Sequence, residues 1–291
     1  MRIARDCGKA GARSVLHECA SMTDITLLCS DGPHHLYLAA EILDAFGRVR
    51  VIVEPGREQA SRLLRNGHYR AYLWTRYHEW RRRLFGYDAY RRRYFVRERE
   101  PRTWDALRRH AGVRYLETSW INDTTVLDAL RDDLSDVYIV MGTKKIGEAL
   151  LSLVPADRII NIHGGHLPYY RGNHCFFFAL HHGELDKLST TIHRVSAGLD
   201  TGAIISRHSV RFCADDNSET LYSRAERAAI DSLVARLKRE PDIAAWSSEP
   251  QPNVGSTYRM RDRGPLVELM HHLGAIRRRL AAGPNRGKET G

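Results

Sequence analysis

Short apolar runs that each lead into a turn and then into a helical pattern restrict the fold of this chain more than any other feature. Residues 24–29 form such a run, and Ser30 to Pro33 supply the turn before a helical pattern over residues 35–46. Gly47 ends that helix, and a second β-branched run follows at residues 48–54. Two strands joined by a helix in this way predict the first βαβ unit of a parallel sheet.

The same alternation returns in the second half of the chain. Strands are predicted at residues 137–141, 159–162, 189–195 and 203–210, and helices at residues 123–131, 146–153, 173–182 and 219–239. The predicted fold class is therefore α/β, with a Rossmann-like, doubly wound and mostly parallel sheet. Sheets of this class bind ligands beyond the carboxyl ends of their strands.

The composition divides the chain into three parts. We expect residues 1–21 to be a disordered leader, residues 22–240 to form the catalytic domain, and residues 241–291 to be a short C-terminal extension with a flexible tail from Gly283. A basic helical insertion interrupts the domain at about residues 60–110. Met22 stands directly before the first strand, so translation from Met22 is an alternative to translation from Met1.

Positive charge is concentrated in the insertion. The chain has a formal net charge of +10, and residues 61–100 hold 12 arginines against 4 acidic residues. Leu73, Tyr77, Trp80 and Leu84 follow helical spacing, which predicts that these side chains face a core while the arginines face solvent. Binding of RNA or of an anionic substrate by the arginines and aromatic rings is the alternative.

Several classes of protein are not expected. The sequence has neither the apolar length of a membrane-spanning helix nor the apolar core of a secretory signal, so we expect a cytoplasmic protein without a membrane partner. Its five cysteines are scattered, which favours reduced and mostly buried thiols over disulfides. The histidines lack metal-ligand spacing, so no metal is expected.

Polar side chains cluster at predicted strand ends in the second half. Asn161 and His163 are two residues apart, so they project from the same face of the strand at residues 159–162. An amide and an imidazole can stabilise one developing oxyanion, and an aspartate nearby can orient the imidazole and raise its pKa. The sequence has no serine nucleophile elbow, and Cys175 lacks the local signature of an activated thiol. This pattern suits acyl transfer without a covalent nucleophile.

The ordered motifs of this region resemble those of the folate-dependent formyltransferase family. They are Asn161-x-His163, Leu167-Pro168, Tyr170-Arg171-Gly172, Thr191-Ile192-His193 and Gly198-Leu199-Asp200-Thr201-Gly202. The resemblance covers residues 24–211 and implies the formyltransferase fold. It also implies 10-formyltetrahydrofolate as co-substrate.

The resemblance assigns roles to individual residues. It implies that Asn161, His163 and Asp200 form the catalytic triad. It places the pterin between two loops, Gly142, Thr143, Lys144, Lys145, Ile146 and Ser196, Ala197, Gly198, Leu199. Tyr170, Arg171 and Gly172 are expected at the substrate. A purely structural turn is the alternative for Arg171, and a solvated helix start is the alternative for Lys144 and Lys145.

The resemblance is greatest to bacterial formyltransferases of surface-glycan and specialised-metabolite clusters. It predicts N-formylation of a small-molecule amine, in particular a nucleotide-linked amino sugar. An amino-acid or hydroxyornithine-type amine is the main alternative. Only about forty residues follow Pro250, fewer than the extra β-barrel domain of the tRNA enzymes needs, so tRNA is not the expected acceptor.

Three points remain open from the residues. Many relatives carry Pro-Ser or Thr-Gly after the histidine, whereas this chain has Gly164-Gly165, so the residue that would make a hydroxyl contact there is not identified. A basic nucleic-acid-binding or scaffold protein on a catalytically inactive fold is the competing class of function. A homodimer is one of the oligomeric states that the sequence leaves open.

Overall fold

The computed structural model describes residues 23–213 and 215–281. The predicted leader, the tail from Gly283 and two of the cysteines, Cys7 and Cys19, lie outside these residues. Within them, no helix combines the length and apolarity that spanning a membrane requires.

A seven-stranded sheet forms the centre of the molecule. Its strands are β1 (Ile25–Cys29), β2 (Val49–Val53), β3 (Val113–Glu117), β4 (Val137–Met141), β5 (Ile159–His163), β7 (Ser189–Arg194) and β8 (Ile204–Ser209), after β6 (Tyr170–Gly172), which lies outside this sheet. The order is β3-β2-β1-β4-β5-β7-β8. The first five strands run parallel, and β7 and β8 are antiparallel to their neighbours. The fold class predicted from the sequence is confirmed.

Helices cover both faces of the sheet. The helices are α1 (Pro33–Phe46), α2 (Gly56–Arg65), α3 (Tyr69–Leu84), α4 (Tyr87–Tyr94), α5 (Trp104–Arg108), α6 (Thr124–Arg131), α7 (Glu148–Leu153), α8 (Cys175–His182), α9 (Ser218–Arg239) and α10 (Pro265–Ala281). One core joins alternate strand residues to α1 and α9, and the other joins the remaining strand residues to α6 and α7. Because both faces are covered, the central strands are apolar along their length.

The chain crosses from one side of the sheet to the other between β1 and β4. Strand β1 pairs with β2 on one side and with β4 on the other, and β4 pairs with β5. Connections that leave β1 and β4 therefore diverge at their carboxyl ends. The resulting crevice is where the polar motifs of the sequence meet.

The insertion is helical, as expected, but the predicted orientation of α3 is wrong. Leu73, Trp80 and Leu84 are more than half exposed, whereas His78 and Arg81 are buried. Arg81 is buried because Glu268, far along the chain, neutralises it, with Arg81 Nη1 2.9 Å from Glu268 Oε1. The helical spacing of residues 69–84 gives no sign of Glu268, so the prediction placed the apolar side chains of α3 in the core.

The C-terminal extension contains structure that the sequence did not predict. Strand β9 (Ser256–Tyr258) pairs in parallel with β6, and α10 follows it. The Tyr258 ring stacks on Phe178 of α8, with centroids 3.9 Å apart. Through these contacts, the extension forms part of the wall around the carboxyl end of β5.

Strand β3, at the edge of the main sheet, was also not predicted.

Candidate active site

Asn161 is the middle residue of β5, opposite His193 of β7 in the antiparallel register. His193 Nδ1 faces the carbonyl oxygen of Arg194 at 2.7 Å and so carries a proton. His193 Nε2 then accepts from Asn161 Nδ2 at 3.0 Å. One amide hydrogen and the amide oxygen of Asn161 remain for other partners, and the plane of the amide is fixed.

His163 is held from two sides. Its Nε2 lies 3.0 Å from the carbonyl oxygen of Tyr170, and its Nδ1 lies 3.5 Å from Asp200 Oδ2. Each ring nitrogen therefore faces an oxygen atom that can accept a hydrogen bond. The Sγ atom of Cys175 is 3.6 Å from Nε2.

Asp200 reaches His163 from the loop between β7 and β8. Its backbone adopts a left-handed conformation with φ 53°, which is unusual for a residue other than glycine. The Gly172 amide donates to Asp200 Oδ2 at 2.9 Å, and Gln251 Nε2 donates to the Asp200 carbonyl at 3.0 Å. The strained backbone is thus fixed by β6 and by the extension. The three predicted catalytic residues lie together.

His193 belongs to this cluster, although the sequence analysis did not assign it a role. Burial, and then the neighbouring His163, lower the pKa of His193 to about 4, so the ring is neutral at physiological pH. Its Nε2 also lies 3.8 Å from Asp200 Oδ1. The Thr191-Ile192-His193 motif and its place beside Asn161 in adjacent strands were the signal that could have identified it.

These residues line a cavity of about 1070 Å³. Both predicted cofactor loops line it, and so do α1 and α9. The start of α8 also lines it, and the insertion and the extension contribute Arg81, Arg82, Arg91, Met260 and Arg263 among others. One cavity thus joins the two cofactor loops to the basic insertion.

The first cofactor loop follows β4. The Lys144 amide donates to Glu54 Oε2 at 3.0 Å, and Asn122 binds both the Lys145 carbonyl and the Gly147 amide. Burial raises the pKa of Glu54 and lowers that of Lys144. Gly142 has φ 70°, and a side chain there would collide with His35. Gly142, Thr143, Lys144, Lys145 and Ile146 all line the cavity.

The second cofactor loop precedes Asp200. Ser196 Oγ is 2.9 Å from Thr201 Oγ1, and Gly198 lies so close to Thr201 that a side chain would not fit there. Ser196, Gly198 and Leu199 line the cavity, whereas Ala197 does not. The two loops therefore leave a gap bordered largely by backbone.

Of the three residues expected at the substrate, only Gly172 lines the cavity. The Tyr170 hydroxyl donates to Glu184 Oε2 at 2.6 Å. Arg171 Nη1 donates to the carbonyl of Val254 at 2.8 Å, and its Nη2 donates to Gln251 Oε1 at 3.1 Å. These side chains fasten β6 to its surroundings, which agrees with the structural alternative for Arg171.

Gly164 and Gly165 are explained by their neighbours. A Cβ on Gly164 would overlap the Tyr222 ring of α9, and a Cβ on Gly165 would lie 2.5 Å from His163 Nε2 and 2.7 Å from Cys175 Cβ. Behind Tyr222, burial raises the pKa of Glu226 to about 8. The two glycines thus make room for ring packing on both sides of the strand end.

Among residues 23–213 and 215–281, no group of three or more histidine, cysteine, aspartate or glutamate side chains has the arrangement of a metal site. The thiols of Cys29 and Cys175 are buried, and that of Cys213 is exposed. Burial raises the pKa of Cys175 well above its ordinary value, so this thiol stays protonated beside His163.

Sequence comparison finds a formyl transferase family model that matches residues 97–237. Methionyl-tRNA formyltransferase of Thermosynechococcus vestitus is 34% identical over 146 residues, which is 50% of this chain and 41% of that protein. The chain thus matches less than half the length of this curated relative.

Solved structures show the same fold at low sequence identity. A sugar 3N-formyltransferase solved in the presence of dTDP and 5-N-formyl-THF has a TM-score of 0.56 and 15% identity, over 88% of this chain and 79% of that one. An N-formyltransferase of Helicobacter canadensis, in complex with folinic acid and dTDP-3-aminofucose, has a TM-score of 0.52 and 12% identity, over 86% and 80% of the two chains.

Proposed function

We propose that this chain, whose residues 97–237 match a formyl transferase family model, transfers a formyl group from 10-formyltetrahydrofolate to a primary amine of a small molecule. The observation that carries this proposal is the meeting of Asn161, His163 and Asp200 in one cavity with both cofactor loops. A nucleotide-linked amino sugar is the acceptor that we favour.

The two loops are suited to hold the folate. Gly142 and Gly198 expose backbone at positions where a side chain would collide with His35 or Thr201. Glu54 and Asn122 hold the first loop in place before any ligand arrives. A flat pterin ring would bind between these loops through backbone groups, so the side chains of Lys144 and Lys145 are not required as ligands.

The folate would supply the formyl group. The formyl carbon forms a bond to the acceptor nitrogen, and the bond between the formyl carbon and the folate nitrogen breaks. One proton passes from the acceptor amine to the folate nitrogen. Asn161 Nδ2 donates a hydrogen bond to the formyl oxygen as it gains charge. His163 donates a second one from Nε2, which exchanges the Tyr170 carbonyl for the formyl oxygen while Nδ1 stays directed at Asp200. Fixed donors of this kind stabilise developing charge without reorganisation, and one donor is typically worth about 3 kcal/mol. His193 holds the Asn161 amide in the plane that this contact needs.

Asp200 orients His163 and accepts the proton that the amine must lose. Its Oδ2 faces both the imidazole and the Gly172 amide, so the carboxylate is held within reach of His163 Nδ1. A carboxylate can pass the proton onward through water to the leaving nitrogen. The Cys175 thiol remains protonated, so it does not act as a nucleophile in this step.

The choice of acceptor is supported by the bound ligands of related folds. The Helicobacter canadensis enzyme was solved with dTDP-3-aminofucose, and another neighbour was solved with dTDP. The methionyl-tRNA formyltransferases among the sequence relatives make formylation of methionyl-tRNA an outcome that the test must include.

The test measures formyl transfer by purified protein with 10-formyltetrahydrofolate and a panel of amines. The panel holds dTDP-amino sugars, L-ornithine, N-hydroxyornithine and methionyl-tRNA. We expect transfer to a small-molecule amine. We expect His163→Asn to lower kcat by about 100-fold or more, because one charge-stabilising donor is removed.

His68→Asn is the matched control, since His68 is exposed and does not line the cavity. It should retain wild-type kcat. Transfer to methionyl-tRNA alone would overturn the proposed acceptor class. Equal activity of the two variants, both folded, would overturn the assignment of His163.

A further inference from the structure

The cavity has a positively charged wall built by segments outside residues 97–237, the region that the family model matches. Arg81 comes from α3 of the insertion, and Arg263 lies two residues before α10 of the extension. His174, at the start of α8, joins them: its ring lies 4.5 Å from that of His78 on α3. Arg81, Arg263 and His174 all line the cavity.

The two arginines share one carboxylate. Arg81 Nη1 is 2.9 Å and Arg263 Nε is 2.6 Å from Glu268 Oε1. Both arginines are at least 96% buried, since their exposed fractions are 3% and 4%. His272, half-exposed on α10, also approaches Glu268 at 3.6 Å. A pair of buried guanidinium groups with a single buried carboxylate leaves one positive charge without a partner.

The other groups around the pair do not balance this charge. Burial lowers the pKa of His78 to about 4 and that of His174 well below its ordinary value, so both rings are neutral. Burial and then Arg81 lower the pKa of Arg263 to about 10, which still leaves it charged at neutral pH. Arg82 of α3 pairs with Asp88 of α4, and Tyr87 adds only a ring under Arg81.

The two arginines border the cavity, whereas their shared carboxylate does not. Arg81 and Arg263 are among the lining residues, and Glu268 is not. Among the described residues, Arg81 Nε and His174 Nε2 are buried and have no hydrogen-bond partner. Buried donors and charges are costly when unpaired, so this wall is suited to a ligand that brings acceptor oxygens and negative charge.

This wall is close to the reacting groups. His174 is next in sequence to Cys175, whose Sγ contacts His163. It also lies two residues after Gly172, whose amide binds Asp200. Two residues of extended chain span at most about 7 Å. His174 and Asp200 are also the two non-glycine residues with positive φ in the described chain, so the backbone is constrained at both places.

We propose that Arg81, Arg263 and His174 form an oxyanion subsite for the acceptor, so that the amine formylated by this protein belongs to a molecule that carries a phosphate or a carboxylate. This inference rests on the proposed function and adds the residues that bind the anionic group of the acceptor. Arginine suits either group, because its planar fork binds two oxygens at once.

The experiment measures direct binding by calorimetry, without turnover. The probes are dTDP, inorganic pyrophosphate and L-ornithine, and 5-formyltetrahydrofolate reports on the folate side of the cavity. The variants are Arg81→Gln and His174→Asn, the latter chosen because asparagine tolerates the left-handed backbone. Arg93→Gln is the matched control, since Arg93 is exposed on α4 and does not line the cavity.

We expect at least one probe to bind the wild type, and its Kd to rise about tenfold or more in Arg81→Gln and in His174→Asn but not in Arg93→Gln. Affinity for 5-formyltetrahydrofolate should stay unchanged in all three, which also shows that the variants fold. Binding of dTDP and pyrophosphate assigns the subsite to phosphate, and binding of L-ornithine alone assigns it to carboxylate.

Two results would overturn the subsite: no probe binds the wild type at millimolar concentration, or Arg81→Gln and Arg93→Gln bind a probe equally well. In the second case the arginine pair is only a structural ion pair with Glu268. Failure of the proposed function is distinguishable, because it would leave probe binding intact and abolish formyl transfer to every small amine.

Discussion

Replacing Gly165 with alanine tests whether the position of His163 is set by the packing around it. The added Cβ would lie 2.5 Å from His163 Nε2, 2.7 Å from Cys175 Cβ and 2.8 Å from Cys175 Sγ. Ordinary contact begins near 3.4 Å, so about 1 Å of movement is needed. Cys175 is buried in α8 and cannot give way easily, so the imidazole must move.

The magnitude follows from what holds His163. Its Nε2 is 3.0 Å from the Tyr170 carbonyl and its Nδ1 is 3.5 Å from Asp200, so a shift of about 1 Å breaks at least one of these contacts. A displacement of that size in a catalytic group costs on the order of 100-fold in rate. Overpacking itself destabilises the fold by about 1–3 kcal/mol.

The assay compares kcat for formyl transfer, the Kd for 5-formyltetrahydrofolate and Tm in Gly165→Ala and Gly47→Ala. Gly47 has φ 74° and no atom within 4 Å of an added Cβ, so alanine there strains the backbone by about 1–2 kcal/mol without touching the cavity. We expect only Gly165→Ala to lose kcat, with folate affinity kept in both. A folded Gly165→Ala protein with kcat within about threefold of the wild type would refute the reasoning.

Two further predictions concern buried carboxyl groups. Burial raises the pKa of Glu226 to about 8 from an ordinary 4.5, so its contribution to stability is full below pH 4.5 and is lost as the pH rises to 8. Glu226→Gln should therefore match the wild-type Tm at pH 4.5 and exceed it by about 2 °C or more at pH 8.5; equal Tm values at both pH values would contradict this. Glu54→Ala removes the acceptor of the Lys144 amide and should raise the Kd for 5-formyltetrahydrofolate about tenfold in calorimetry while leaving the acceptor KM unchanged. An unaltered folate Kd would show that Glu54 does not hold the loop.

The central strands, and the placement of Asn161 and His163 on one face of β5, could be predicted because their signals are local. Apolar runs such as Val137–Met141 can be recognised from five residues alone. Asn161 and His163 share a face because side chains two residues apart in a strand point the same way. Asp200 needed the family resemblance, because nothing in residues 196–202 alone says which strand end that loop approaches. His193 was visible within a motif but received no role.

The orientation of α3 and the contacts of the β6 side chains depend on partners far along the chain. Arg81 is buried because of Glu268, which lies 187 residues later, and no helical pattern in residues 69–84 contains that information. Tyr170 and Arg171 belong to a motif of the family, yet neither side chain lines the cavity. Tyr170 binds Glu184, and Arg171 binds Val254 and Gln251. In such cases a sequence pattern identifies a motif more readily than the contacts that its side chains make.

The pairing of β6 with β9 determines when the site can be assembled during synthesis. Gly172, whose amide holds Asp200, pairs with Tyr258, so its strand has no partner until the ribosome has made 86 further residues. Every strand of the main sheet is complete by Ser209. A nascent chain can therefore form its sheet and bury its core while the Asp200 carboxylate is still without its fixed support, so the geometry of the triad is completed after the rest of the domain.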